Sequence, residues 1–247
     1  MSRDFLSIFS SVKPVMGMLH LNGDTEIEVI RRANEEARIM TENGVDAVIV
    51  ENYFGTPEYV RAVLRDFQSN KVQFVYGVNL LDDDEANFKA AIQYGAAFLQ
   101  LDSVAGHLAP EDDPAFGRFM KTWRDAYEGC VIGGVRFKYQ PYLSGRSLEE
   151  DLIIGMGRCD AIAVTGLGTG MPTEISKLKE FRDIVGDFPL LVTAGVTPES
   201  CPAQFALADG AIVGSYFKDS HTAAGNVCKS HVRELMAVVE TIRRGVS

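Results

Sequence analysis

Short apolar runs alternate with longer amphipathic stretches along the whole chain, the pattern of parallel strands joined by crossover helices. The runs predict strands at 14–20, 45–51, 72–79, 96–102, 131–138, 160–165, 189–194 and 209–214. Between the first two, Ile30, Ala33, Ala37 and Met40 fall at helical spacing, with Arg31, Arg32, Glu35, Glu36 and Arg38 on the other faces. Asn43-Gly44, Tyr94-Gly95 and Val185-Gly186 stand where helices should stop ahead of strands. Thr56-Pro57, Met171-Pro172-Thr173 and Thr197-Pro198-Glu199 read as helix starts, with Pro admitted in the first turn. Strand–helix units with no leftover segment predict an α/β fold, a single (β/α)8 TIM barrel over residues 1–247. An open doubly wound sheet is the alternative, because periodicity does not establish closure.

Side chains alternate along a strand, so the apolar face should meet the helices and the other face the lumen. In the fourth run this sends Ala97, Leu99 and Leu101 outward and Phe98, Gln100 and Asp102 inward. In the fifth it sends Val131, Val135 and Phe137 outward and Ile132, Gly134, Arg136 and Lys138 inward. Asp102 is therefore expected beside Lys138 at the mouth, with Gln100 beside Arg136 one layer below. The inward set Ala161, Ala163 and Thr165 leaves room for these long side chains.

Barrel sites lie at the C-terminal strand ends, where the chain collects His20, Glu51, Asn52, Asn79, Asp102, Lys138 and Thr165. His20, Glu51, Asn79, Asp102 and Lys138 are the candidate catalytic residues. Ion pairing of Lys138 with Asp102 or Glu51 for structural reasons is the competing reading. After strands six to eight come Gly166, Gly168, Gly195, Val196, Gly214 and Ser215. Backbone N–H groups in these loops, with a short helix opening at Ser215, form a candidate phosphate cradle. Turn geometry alone is the other use of such glycines.

The composition constrains partners and location. The chain has 247 residues, 46% hydrophobic and 23% charged, an ordinary globular balance. Its net charge of −10 argues against nucleic acid as a partner. Cys130, Cys159, Cys201 and Cys228 form no C-x-x-C pair and read as reduced thiols. The stretch MSRDFLSIFSSVKPV does not look like a signal peptide, and no apolar run is long enough to insert in a membrane. A cytoplasmic protein is expected.

Taken together, MGMLH, VDAVIVENYFGTPE, GVNLLDDD, the Phe137-Lys138 step ahead of Tyr139, DAIAVTGLGTGMPT, TAGVTPES and ADGAIVGSYFK resemble the BtpA/SgcQ family over nearly the whole chain. The resemblance implies a ribulose-phosphate-binding type of barrel. It implies no single reaction: some cyanobacterial members are linked to photosystem I biogenesis, and others are described as enzymes of sugar or nucleoside metabolism. Two departures stand out. The segment after His20 is the short LNGDT, and the Lys-His usual at the end of strand five reads Lys138-Tyr139.

The leading expectation is an enzyme acting on a small phosphorylated sugar-like or nucleotide-like metabolite, as a lyase, isomerase or hydrolase. Glu51 or Asp102 would be the general base, and Lys138 would stabilise an oxyanion or, as the lesser route, form a Schiff base. No cofactor is expected. A divalent metal on His20, Glu51 and Asp102 is the weaker version, lacking a compact ligand motif. The second class is a noncatalytic assembly or biogenesis factor that keeps the barrel as a scaffold. Val232, Leu235, Met236, Val239 and Ile242 recur at helical spacing near the C-terminus, for packing on the barrel or for a homo-oligomer contact.

Overall fold

The computed structural model describes residues 3–245. Eight parallel strands close into a barrel in sequence order: β1 (Val15–His20), β2 (Ala47–Glu51), β3 (Val75–Asn79), β4 (Phe98–Ala105), β5 (Cys130–Val135), β6 (Ala161–Val164), β7 (Leu190–Val192) and β8 (Gly210–Val213). The β1–β8 pairing supplies closure and removes the open-sheet alternative. The helices that follow the strands are α1 (Glu26–Thr41), α2 (Pro57–Ser69), α3 (Asp84–Tyr94), α4 (Asp113–Ala126), α5 (Leu148–Met156), α6 (Ile175–Val185), α7 (Cys201–Phe205) and α8 (Lys229–Gly245).

Alternation splits the apolar residues into two clusters. Leu99, Leu101, Val131 and Val135 belong to the large layer between strands and helices. Met16, Ile49, Phe98, Ile132, Ala161, Ala163 and Leu191 fill the lumen. The chain before β1 closes the lower end, where Phe5 meets the lumen residue Phe98 edge-on at 6.1 Å. Both rings are fully buried. Residues Val232, Leu235, Met236 and Val239 of α8 pack into the outer layer of their own barrel.

Three aspartates fasten the lower rim by one repeated device. Asp46, Asp160 and Asp209 each precede a strand and accept the N–H of a residue at the start of the neighbouring strand: Val15 at 2.7 Å, Val131 at 2.8 Å and Leu190 at 2.9 Å. Each also pairs with an arginine from an outer helix, respectively Arg243, Arg124 and Arg182. Asp160 is fully buried, and both Arg124 Nη atoms reach it, at 2.9 and 2.7 Å.

The largest departure from simple alternation is at the end of β5. This strand stops at Val135, three residues short of Lys138, and Arg136 adopts a left-handed φ of 48°. Arg136 therefore points out of the barrel, donating to Asp151 of α5 at 3.1 Å and to the Arg146 carbonyl at 2.7 Å. The expected Gln100–Arg136 neighbour pair does not form, and Phe137 turns into the lumen instead of outward. Gly134 makes room for this turn. A Cβ there would lie 2.7 Å from the Phe137 ring and 2.2 Å from the Asp102 carbonyl.

Strand β4 errs in the opposite direction, running past Asp102 to Ala105 with a register shift against β5. Two expected helix starts also move. The Met171-Pro172-Thr173 segment is loop, and α6 begins at Ile175. Residues 197–200 form a turn in which Ser200 Oγ accepts the Thr197 N–H, so α7 begins at Cys201 with Pro202 in its first turn.

The rim device gives a direct test. Replacing the buried Asp160 with Ala leaves the partly buried guanidinium of Arg124 and the Val131 N–H without their partner, and should cost roughly 3–5 kcal/mol. Urea unfolding should detect it as a lower midpoint with unchanged slope.

Candidate functional site

Register builds the site. His20, Glu51 and Asn79 are direct cross-strand partners at the upper ends of β1, β2 and β3. Inward alternation on β4 adds Gln100 and Asp102. These side chains line, or stand at the wall of, a cavity of about 280 Å³ at the barrel mouth, which Phe137, Lys138 and Tyr139 close from the β5 side.

Polar contacts inside it are dominated by amides. Asn79 Nδ2 donates to Glu51 Oε1 at 2.9 Å and to Asp102 Oδ1 at 3.3 Å. Gln100 Nε2 donates to the same Asp102 oxygen at 3.1 Å. The expected ion pair of Lys138 with Asp102 or Glu51 does not form: among the described residues, no carboxylate lies within 4.0 Å of Lys138 Nζ. Its charge still acts on both acids through the cavity. Lys138 is held by its backbone, whose N–H donates to Thr165 Oγ1 at 2.9 Å.

Burial sets the protonation states. The Glu51 carboxyl is pushed up to about 8, first by desolvation and then by the neighbouring Asp102 charge, with Lys138 and the Asn79 hydrogen bond opposing. Asp102 is raised as well, chiefly by burial, against the stabilising amide bonds from Gln100 and Asn79. His20 is depressed to about 3 by burial and then by the charges of Lys218 and Lys138. Its Nε2 lies 3.4 Å from Glu51 Oε2. Near neutral pH this is a contact between a neutral imidazole and a carboxylic acid. Nδ1 has no well-formed hydrogen bond, the Ala223 carbonyl acting on it only weakly. The ring is covered by Tyr53, 5.0 Å between centroids, and rests on Gly214, where a Cβ would come within 2.8 Å of it.

The glycine-rich loops divide into two groups. Gly195, Val196, Gly214 and Ser215, with Gly170, line a second hollow of about 270 Å³ that adjoins the cavity through Gly170, Gly214 and Ser215. Gly166 and Gly168 lie outside it. Gly166 is required by contact with the chain, since a Cβ would stand 2.4 Å from the Pro172 carbonyl. Gly168 turns the loop, its carbonyl accepting the Met171 N–H at 3.1 Å. The strand-end residue Asn52 is also diverted, accepting the Leu81 N–H at 2.9 Å and fixing the loop after β3.

Several residues at the mouth escape a reading based on strand ends. Thr169 is gripped from two sides: Tyr53 Oη donates to its hydroxyl at 3.3 Å, and its own N–H donates to Tyr139 Oη at 2.9 Å. Tyr139 thus occupies the place of the family's usual histidine with a loop-bridging contact. Lys218, fully buried, pairs with Glu36 at 2.8 Å and ties the segment after β8 to α1. Asp82, in the loop after β3, borders the cavity, and Asp84, the first residue of α3, borders the hollow beside it; the run of aspartates was the available signal. Among the described residues no three His, Cys, Asp or Glu side chains are grouped to hold a metal ion, and no helix is long and apolar enough to cross a membrane.

Known proteins resemble the chain along its length. The protein SgcQ of the sgc region of Escherichia coli is 27% identical, the match covering 96% of this chain and 98% of that one. The photosystem I biogenesis protein BtpA of Synechocystis is 26% identical, covering 87% and 84% respectively. Among solved structures, phosphoribosyl anthranilate isomerase from Thermus thermophilus superposes with a TM-score of 0.59 over 93% of this chain and 99% of that one, at 17% identity, a likeness of fold alone. The BtpA family pattern matches residues 11–241, a span that takes in every strand and the whole mouth, so the chain belongs to the BtpA family.

Proposed function

We propose that the protein is an enzyme that moves a proton on a small phosphorylated sugar-like or nucleotide-like metabolite bound across the barrel mouth. The observation that carries this reading is the bridged carboxyl pair: Glu51 and Asp102 share the Asn79 amide while Lys138 faces both and pairs with neither. An ammonium that faces two acids and pairs with neither is placed to stabilise a developing negative charge.

Different environments give the acids different roles. Glu51 holds its proton at neutral pH and is the donor. Asp102 receives two amide hydrogen bonds that favour its ionised form, and is the base. Asp102 takes a proton from carbon next to a carbonyl, the electron pair passes to the carbonyl oxygen, and the Lys138 ammonium stabilises the oxyanion. Glu51 then supplies the proton that completes an isomerisation or bond cleavage. His20 stays neutral and orients the Glu51 carboxyl.

The phosphate is assigned to the hollow lined by Gly170, Gly195, Val196, Gly214 and Ser215, where glycine lets backbone N–H groups approach an anion closely. A phosphoribosyl group in the name of a protein with the same fold is consistent with this assignment. Binding energy gathered there would hold the reacting end against Lys138.

Assembly-factor function is the second reading, favoured by the name of the Synechocystis relative and by the exposed apolar rim of Phe54, Tyr139, Leu167 and Met171. The two readings part at Lys138. On a phosphometabolite found by thermal-shift screening, Lys138→Ala should lower kcat by about 10²-fold or more while phosphate affinity changes little. Unchanged turnover would remove the lysine from the chemistry. A crystal soaked in sulfate should hold an anion between Gly195 and Ser215, and an unoccupied hollow at high sulfate would count against the cradle. Metal analysis of protein purified without chelator tests the version with an ion on His20, Glu51 and Asp102.

Glu51 also predicts a pH dependence of stability. Its folded pKa of about 8 exceeds the ordinary 4.5, so between those values the unfolded chain releases a proton that the folded chain retains. Stability contributed by Glu51 is therefore present below about pH 4.5 and lost as pH rises toward 8. Glu51→Gln should flatten that part of the profile, gaining on the order of 5 kcal/mol on wild type at high pH relative to low pH. Urea midpoints measured across the range would read it.

A further inference from the structure

The cavity has a third compartment. A hollow of about 190 Å³ opens beside it and shares Leu81, Asp82, Asp102 and Gln140 with it. Its far wall is built from Asp84, Ser103 and His107. We propose that this compartment is a subsite for a protonated amine carried by the substrate, so that the metabolite is an amino-bearing phosphorylated compound. This rests on the reading of the mouth as a phosphometabolite site.

Two independent observations support it. Asp82, Asp84 and Asp102 converge on the hollow, and among the described residues none of them lies within 4.0 Å of a Lys, Arg or His nitrogen. Separately, Ser103 stands on the wall with its Oγ buried and without a hydrogen-bond partner, the residue being only 7% exposed. His107 Nδ1, on the same wall, is likewise unpartnered. Buried polar groups need a hydrogen-bond partner, and a ligand in this hollow would supply one to each.

Charge and geometry select the ligand class. Ionised carboxylates only accept hydrogen bonds, so the occupant must be rich in donors. The Asp84 carboxyl is driven up to about 6 by burial and then by its neighbours Asp102, Asp83 and Asp82, a repulsion that a cation relieves. A bare divalent ion needs its oxygen ligands within roughly 2.0–2.6 Å of one point, and these groups are not so gathered. An ammonium group tolerates acceptors spread around a cavity, because its three donors point in different directions. The three hollows then run in sequence: anion at Gly195 and Gly214, reacting atoms under Lys138, amine between Asp84 and Ser103.

Isothermal titration at about pH 7 with glucosamine 6-phosphate, glucose 6-phosphate and inorganic phosphate tests this on wild type, Asp84→Asn and Ser103→Ala. The amino sugar phosphate should bind about tenfold more tightly than its hydroxyl counterpart, as expected for one charge-assisted hydrogen bond. Asp84→Asn should erase most of that preference and Ser103→Ala part of it, with the affinity for inorganic phosphate unchanged. Equal binding of the two sugar phosphates to wild type, or a preference that survives Asp84→Asn, overturns the amine subsite and leaves the phosphate reading standing. Should no phosphate compound bind, the phosphate reading fails, and glucosamine against glucose decides the subsite alone. Glucosamine binding that is lost in Asp84→Asn sustains it, and no binding ends it.

Discussion

The mouth of this barrel is organised by one backbone reversal. At Arg136 the chain takes a left-handed conformation, uncommon for a residue with a side chain, and the buried carboxylate of Asp151 draws the guanidinium outward between β5 and α5. Were the strand to continue in register, Arg136 would enter the lumen, an unpaired charge in an apolar layer. The reversal removes that charge and turns Phe137 inward as the floor of the cavity. It also delivers Lys138 to the rim, where Thr165 secures its N–H. Ser144 adds to the hold by donating to Asp151 at 3.2 Å, so the loop after β5 is anchored on its outer side and free to present side chains on its inner side.

Where the regular geometry of a barrel governs, the sequence was a sufficient guide. Each of the eight apolar runs contains or overlaps an observed strand, and the alternation on β4 and β6 placed Phe98, Ala161 and Ala163 in the lumen. The same alternation held on β5 through Val135 and failed from Arg136 on, because a salt bridge that periodicity cannot reveal, between Arg136 and a helix residue fifteen positions on, outweighs the preference for extended backbone. Strand β4 was underestimated for a related reason: its register shift hides the continuation past Asp102. The lower rim was legible in principle, since an aspartate ahead of β2, β6 and β8 is a visible repeat, but its arginine partners come from distant helices.

The acidic side of the site was legible for the same reason as the strands. His20, Glu51 and Asn79 are strand-end residues in direct register, and Asp102 follows from inward alternation. What the sequence left open was pairing. Opposite charges on neighbouring strands suggested an ion pair, whereas the structure satisfies the acids with Asn79 and Gln100. Glycines were harder still, because the residue type reports a steric need without naming its cause. Gly166 answers to the Pro172 carbonyl and Gly214 to the His20 ring, and only the second lies on the hollow.

The choice of amides over lysine as partners has a physical consequence for the whole site. A carboxylate paired with an ammonium is neutralised before any ligand arrives, and separating the pair inside a buried cavity would oppose binding. Amides hold Glu51 and Asp102 in place without bringing an opposite charge to either acid. Burial raises both carboxyls first, and the Asp102 charge then adds to the rise at Glu51. Lys138, anchored through its backbone, keeps its side chain available to an incoming group.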